Sequence, residues 1–121
     1  MNAHSSMHHT IHYIELYVTD IPKAKEFFSS AFQWEFNDYG PEYVGIRKRD
    51  SEGECGGICR SDTVVLGGPL VILYSSDLEA SLAAVVLAGG KITKEIFSFP
   101  GGRRFEFCVP CGHEMAVWSD Q

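Results

Sequence analysis

The sequence predicts an α+β fold made of two βαβββ modules, and three observations carry that prediction. First, the chain repeats. Ile14-Glu15-Leu16-Tyr17-Val18-Thr19-Asp20 and Val71-Ile72-Leu73-Tyr74-Ser75-Ser76-Asp77 share leucine, tyrosine and aspartate at an offset of 57 (77 − 20). Second, each copy changes from a period of two to a helical period directly after its aspartate. Third, three short strand-like runs separated by turn residues follow each helical stretch. The chain, 1–121, reads as a single domain with module one over 11–60, a linker over 61–68 and module two over 69–119.

In the first strand Ile14, Leu16 and Val18 alternate with Tyr13, Glu15 and Tyr17, so one face enters the core and the other is polar and aromatic. Asp20 is the predicted N-cap, its carboxylate accepting from the open N–H groups of the first turn, where Pro22 is tolerated because no donor is needed. Ala24, Phe27, Phe28 and Ala31 then fall at i, i+3, i+4 and i+7 and give the helix one apolar face. Strand-like runs follow from Trp34 to Tyr39, Tyr43 to Lys48 and Gly56 to Arg60, broken by Gly40-Pro41 and Glu52-Gly53.

The second module repeats the plan. Asp77 caps a helix whose apolar face is Leu78, Leu82, Val85 and Val86, and Gly89-Gly90 ends it. Its strands run from Lys91 to Phe97, Arg104 to Val109 and Glu114 to Trp118, with turns at Pro100-Gly101-Gly102 and Pro110-Cys111-Gly112. Alternation assigns the remaining faces. Tyr43, Arg47, Gly57 and Cys59 lie away from the core, as do Arg104, Glu106 and Cys108 opposite Phe105 and Phe107. Glu114, Ala116 and Trp118 do so opposite Met115 and Val117.

Composition narrows the function. With 45% hydrophobic and 21% charged residues the chain is a folded protein rather than a disordered one. A net charge of −6, from 10 basic and 16 acidic residues with no basic run, argues against nucleic acid and anionic membrane as partners. No apolar segment approaches a membrane span, and the polar opening MNAHSSMHHT lacks the apolar core of a signal peptide, so a cytoplasmic protein is expected.

Four cysteines in such a chain read as free thiols or metal ligands rather than disulfides. Cys55 and Cys59 are spaced C-x3-C and Cys108 and Cys111 C-x2-C, which admits a four-thiolate zinc site. Small zinc domains usually space their pairs more tightly and need the metal because they lack a core, whereas this chain has one. His4, His8, His9 and His12 near the N-terminus read as adventitious metal donors at most.

Taken together, the paired modules, the strand ending in Asp before a helix and the segment EFFSSAFQWEF resemble the vicinal oxygen chelate superfamily. So do Gly56-Gly57-Ile58 and the closing Pro110-Cys111-Gly112-His113 turn before a strand ending in Trp118. This is the glyoxalase, bleomycin-resistance and extradiol-dioxygenase group, and the resemblance covers 11–119. It implies a curved mixed sheet around a cavity, with helices on the convex side and a homodimeric assembly. One departure is Gln33, where the family commonly has Gly; in a left-handed conformation a non-glycine residue costs about 1 kcal/mol.

The resemblance also implies where a metal would sit. Family ligands stand seven residues before each capping Asp, here Tyr13 and Leu70, and four after the turn glycine, here Ala116; the 57-residue offset carries that last position back to Cys59. Leucine and alanine donate no lone pair, so the family's metal site is expected to be absent, with no cofactor. A different site from Glu15, Cys59, Glu106, Cys108 and Glu114 stays open, because all five fall on cavity-facing positions.

Three functions follow as expectations. One is a metal-independent isomerase or lyase, with Glu15 as candidate general base and Tyr13 or Tyr17 polarising an oxygen. Another is a drug-sequestering protein that stacks a small molecule on Tyr13, Tyr17, Tyr43, Tyr74 and Trp118, with Glu15, Glu106 and Glu114 favouring a cation and Arg47 and Arg104 opposing that preference. The weakest is a zinc-thiolate module. The expected ligand-binding set is completed by Cys59 and Cys108.

Overall fold

The structure, a computed structural model, describes residues 8–121; His4 lies outside the described residues. Each repeat folds as its pattern dictates. Module one comprises β1 (Ile14–Val18), α1 (Ile21–Phe32), β2 (Phe36–Asp38), β3 (Tyr43–Arg47) and β4 (Glu54–Arg60). Module two comprises β5 (Val71–Tyr74), α2 (Leu78–Leu87), β6 (Lys91–Phe99), β7 (Gly102–Cys108) and β8 (Glu114–Ser119). The sheets have the orders β1-β4-β3-β2 and β5-β8-β7-β6. In each, the first strand runs parallel to the last and the other pairs are antiparallel.

Both helices start where the sequence places them. The Asp20 and Asp77 carboxylates each accept from the backbone N–H three residues on, Lys23 and Ala80, at 3.1 Å. Ala24, Phe27, Phe28 and Ala31 are all buried. α1 stops at Gln33, which is left-handed (φ 60°) and donates its N–H to the carbonyls of Phe28 and Ser29. The strain anticipated for a non-glycine residue is therefore present.

α2 departs from expectation. Leu78 and Val85 are fully buried and Leu82 partly so, but Val86 is 52% exposed and Leu87 89%. The cause lies in the segment LEASLAAVVL, which is apolar nearly all round, so spacing alone could not decide which valine faces inward. Ile14 likewise has the core phase yet is 41% exposed, because it begins an edge strand.

A single cluster of buried residues spans both modules. Phe107 of β7 lies 6.0 Å from Phe27 and 6.0 Å from Phe32 of α1, and Trp34 stacks on Phe28 at 4.4 Å. Stacking on α1 also explains why β2 begins at Phe36 and not at Trp34. A second tie joins the Pro110-Cys111-Gly112 turn to the β1–α1 junction, where the Thr19 N–H donates to the Cys111 carbonyl at 3.0 Å.

Candidate functional site

The helices cover one face of the sheets, and the expected site residues stand on the other, where all but Glu106 are at least partly exposed. In module one the strand register aligns Glu15, Gly57, Gly45 and Asn37 across four strands. The two central positions are glycines, and that absence of side chains makes a floor. A Cβ at Gly57 would overlap the Tyr43 phenol and stand 3.0 Å from the Tyr13 hydroxyl. A Cβ at Gly45 would overlap the carboxylate of Glu54.

On this floor a row of polar side chains forms. The Tyr43 hydroxyl donates to Glu15 Oε2 at 3.0 Å and lies 2.5 Å from the Tyr13 hydroxyl. The Tyr13 hydroxyl is also placed to donate to Glu54 Oε1, at the longer distance of 3.4 Å. Glu54 Oε2 accepts from Tyr39 at 2.5 Å and from the Asn37 amide at 2.9 Å, and Asn37 Oδ1 accepts from Arg47 Nε at 2.8 Å. These donors, Tyr39 first and Asn37 next, hold the Glu54 carboxyl below the usual carboxylate range. Burial, then the bonds to Tyr13 and Glu15, push the Tyr43 phenol up, so it stays protonated. Burial, with Glu15 nearby, likewise raises the Cys59 thiol.

Glu54, Asn37 and Tyr39 were not among the residues expected here. Asn37 and Tyr39 were legible, since they alternate with Phe36. Glu54 was not. Counting back from Cys59 and Gly57 by twos reaches Cys55 and puts Glu54 on the core side. A β-bulge between Ile46/Gly56 and Arg47/Glu54 makes Cys55 the extra residue and turns Glu54 to the open face.

Module two presents a different surface. Arg104 donates to the buried Glu106 at 2.9 Å and lies 5.4 Å over the Phe97 ring. Tyr74 meets Trp118 edge-on at 5.4 Å. The Thr93 hydroxyl donates to Glu114 at 2.6 Å. The Cys108 thiol is raised by burial and by Glu114.

Between the two sheets, at the free edges of β1 and β5, lies a cleft of about 600 Å³. Tyr13, Glu15 and Tyr17 line it from β1 together with Ile11, Ile14 and Leu16, Leu70 and Ile72 from the β5 side, and His113 and Glu114 complete it. Of the twelve residues expected to bind a ligand, four line this cleft: Tyr13, Glu15, Tyr17 and Glu114. Tyr43, Arg47 and Cys59 continue along the module-one sheet, while Tyr74, Arg104, Glu106, Cys108 and Trp118 belong to the module-two sheet.

The metal positions need one correction. The repeat offset is 57 in the first strands, but Ile14 pairs with Gly56 and Val71 with Met115, so in the last strands it is 59 (115 − 56). The equivalent of Ala116 is therefore Gly57 and not Cys59; two residues of loop length separate the modules. Gly57, Leu70 and Ala116 offer no donor, and Tyr13 is engaged with Tyr43. The residues present do not fit the metal. The set Glu15, Cys59, Glu106, Cys108 and Glu114 does not gather either, nor do the four free cysteines. Among the described residues no three of His, Cys, Asp and Glu come close enough to hold an ion.

No family model matches the sequence, and no curated protein matches it. Solved structures do. A glyoxalase-related enzyme from Fulvimarina pelagi superposes with a TM-score of 0.77 at 17% identity, covering 92% of this chain and 88% of its own. A glyoxalase/bleomycin resistance protein/dioxygenase family enzyme from Burkholderia phytofirmans PsJN gives 0.74 at 15% identity over 92% and 98%. The chain has the vicinal oxygen chelate fold. A third protein of this fold, TnmS3, an antibiotic binding protein from Streptomyces sp. CB03234, gives 0.65 at 15% identity over 90% and 93%. Among the described residues no helix is long and apolar enough to cross a membrane.

Proposed function

We propose that the chain binds a small organic molecule in the cleft between β1 and β5, against the tyrosine and carboxylate face of module one. The observation that carries this reading is a space of ligand size whose lining joins apolar side chains, Ile14, Leu70 and Ile72 among them, with the polar groups of Tyr13, Glu15 and Tyr17. Such a site grips an apolar body on one side and a hydrogen-bonding or cationic group on the other. That an antibiotic binding protein has the same fold supports a sequestering role. Metal-independent proton transfer is the second reading, favoured by the Tyr43 bond that orients the Glu15 carboxylate.

A screen by ligand-detected NMR followed by calorimetry tests the site. Glu15→Gln is expected to change affinity or turnover by about tenfold or more, equivalent to about 1.4 kcal/mol. Unchanged handling of a true ligand by Glu15→Gln removes Glu15 from the site. Prolonged incubation with the same ligand separates the two readings, since a sequestering protein returns it intact and an isomerase or lyase consumes it.

We also infer a homodimer. The edge strands β2 and β6 and the exposed apolar side chains Tyr39, Val86 and Leu87 lie outside the cleft, and pairing with a second copy would cover such surface. Light scattering should give twice the 13.5 kDa chain mass; the single-chain mass at high micromolar concentration contradicts the assembly.

A further inference from the structure

Four side chains on the module-one sheet make three successive oxygen contacts: Glu15 to Tyr43, Tyr43 to Tyr13, and Tyr13 to Glu54. Filling all three requires three hydrogens. Two neutral phenols between two carboxylates supply only two. One contact must therefore stay open, and the distances identify it. The Tyr43 contacts measure 3.0 and 2.5 Å, whereas Tyr13 to Glu54 measures 3.4 Å. The hydrogens accordingly run Tyr13 to Tyr43 to Glu15, and Glu54 relies on Tyr39 and Asn37.

We propose that Glu54 acts on Glu15 through these two phenols: a proton taken up by Glu15 reverses both phenol O–H groups and closes the contact to Glu54 that is otherwise open. The step balances without breaking a phenol O–H bond. The added proton forms an O–H on Glu15 that donates to Tyr43, Tyr43 turns to donate to Tyr13, and Tyr13 turns to donate to Glu54. Three contacts then hold three hydrogens. Glu54 remains the anion at the far end because Tyr39 and Asn37 already stabilise its charge. The high pKa of the Tyr43 phenol agrees with a hydroxyl that rotates rather than ionises.

Glu54 is thus a positioning residue: it sets how readily Glu15 changes from acceptor to donor without touching the cleft. The other charged or titratable groups around the row are Tyr17 on β1, Arg47 on β3, Cys59 on β4, Tyr39 after β2, and His113 and Glu114, which also line the cleft. The proposal deepens the reading of Glu15 given above, but its test needs no ligand. A ligand indifferent to Glu15→Gln would remove the binding reading and leave the coupling intact.

The test follows the side-chain carboxyl carbons of Glu15 and Glu54 by NMR through the carboxylate range in the whole protein. Tyr13→Phe keeps both charges and breaks only the link. It is expected to lower the Glu15 midpoint by about half a pH unit, a threefold loss of proton affinity, and Tyr74→Phe, on the other sheet, to leave it in place. Glu54→Gln should lower it as well, but loss of a neighbouring charge does so by itself, so Tyr13→Phe decides. A Glu15 midpoint that is the same in wild type and Tyr13→Phe overturns the proposal. Neutron diffraction of the wild-type protein reads the same switch without a variant. The Tyr43 deuteron should point to Glu15 at neutral pH and to Tyr13 below the Glu15 midpoint, and one orientation at both pH values overturns it.

Discussion

Glu15 and Leu16 are neighbours on β1 with opposite physical roles. Leu16 is buried under the helices, so Leu16→Ala removes buried methyl groups and leaves a cavity, at a cost of about 2–5 kcal/mol. Glu15 stands on the open face and accepts one bond from Tyr43. Glu15→Gln keeps the shape and should shift stability by less than about 1 kcal/mol, as substitutions away from a core usually do. Urea denaturation of the two variants checks the contrast. Equal destabilisation means that the faces of β1 are reversed. The faces themselves were legible because Ile14, Leu16 and Val18 alternate cleanly with Tyr13, Glu15 and Tyr17. Glu54 was hidden by one extra residue in β4, since a bulge shifts the phase without leaving a signature in Ser51-Glu52-Gly53-Glu54-Cys55.

The elements were more legible than their ends and details. Both N-caps follow from an aspartate between a strand pattern and a helix pattern, and both bonds are formed. α2 was less readable, because an all-apolar helix carries no phase information and Val86 turns outward. The Pro110-Cys111-Gly112-His113 turn suggested half a metal site by its residue types. Its place in the fold gives it a structural part, with the Cys111 carbonyl accepting from Thr19 and its thiol facing the Asp20 carbonyl at 3.6 Å. At the end of α1 the left-handed Gln33 makes a quantitative prediction. Gln33→Gly removes the Cβ crowding at φ 60° and should stabilise the protein by up to about 1 kcal/mol, read as a higher urea midpoint at unchanged slope. A lower midpoint means that the Gln33 side chain contributes more than its backbone strain costs.

At the scale of the molecule, the repeat conveyed the architecture, but a repeat offset cannot convey register when loops differ between copies. That is why the fourth corner moved from Cys59 to Gly57. Acid sensitivity is also a property of the whole chain. Glu54, held low chiefly by Tyr39, and Glu79, held low chiefly by Arg103, both have folded-state pKa values beneath their unfolded ones. Each therefore stabilises the fold above the unfolded carboxylate range and loses that contribution as pH falls through its folded value. Thermal melts on acidification should show a falling midpoint, with a shallower fall in Tyr39→Phe. Identical pH dependence in the two proteins would show that the bond from Tyr39 does not shift Glu54.

Whether the cleft between β1 and β5 and the adjoining tyrosine face receive a small molecule is read from a crystal structure with a ligand identified by the screen. The ligand is expected to lie against Tyr13, Glu15 and Tyr17 with its apolar part on Leu70 and Ile72. A ligand seated instead on the helix-covered side, or in the depression beside Gln33 and Arg49, contradicts it.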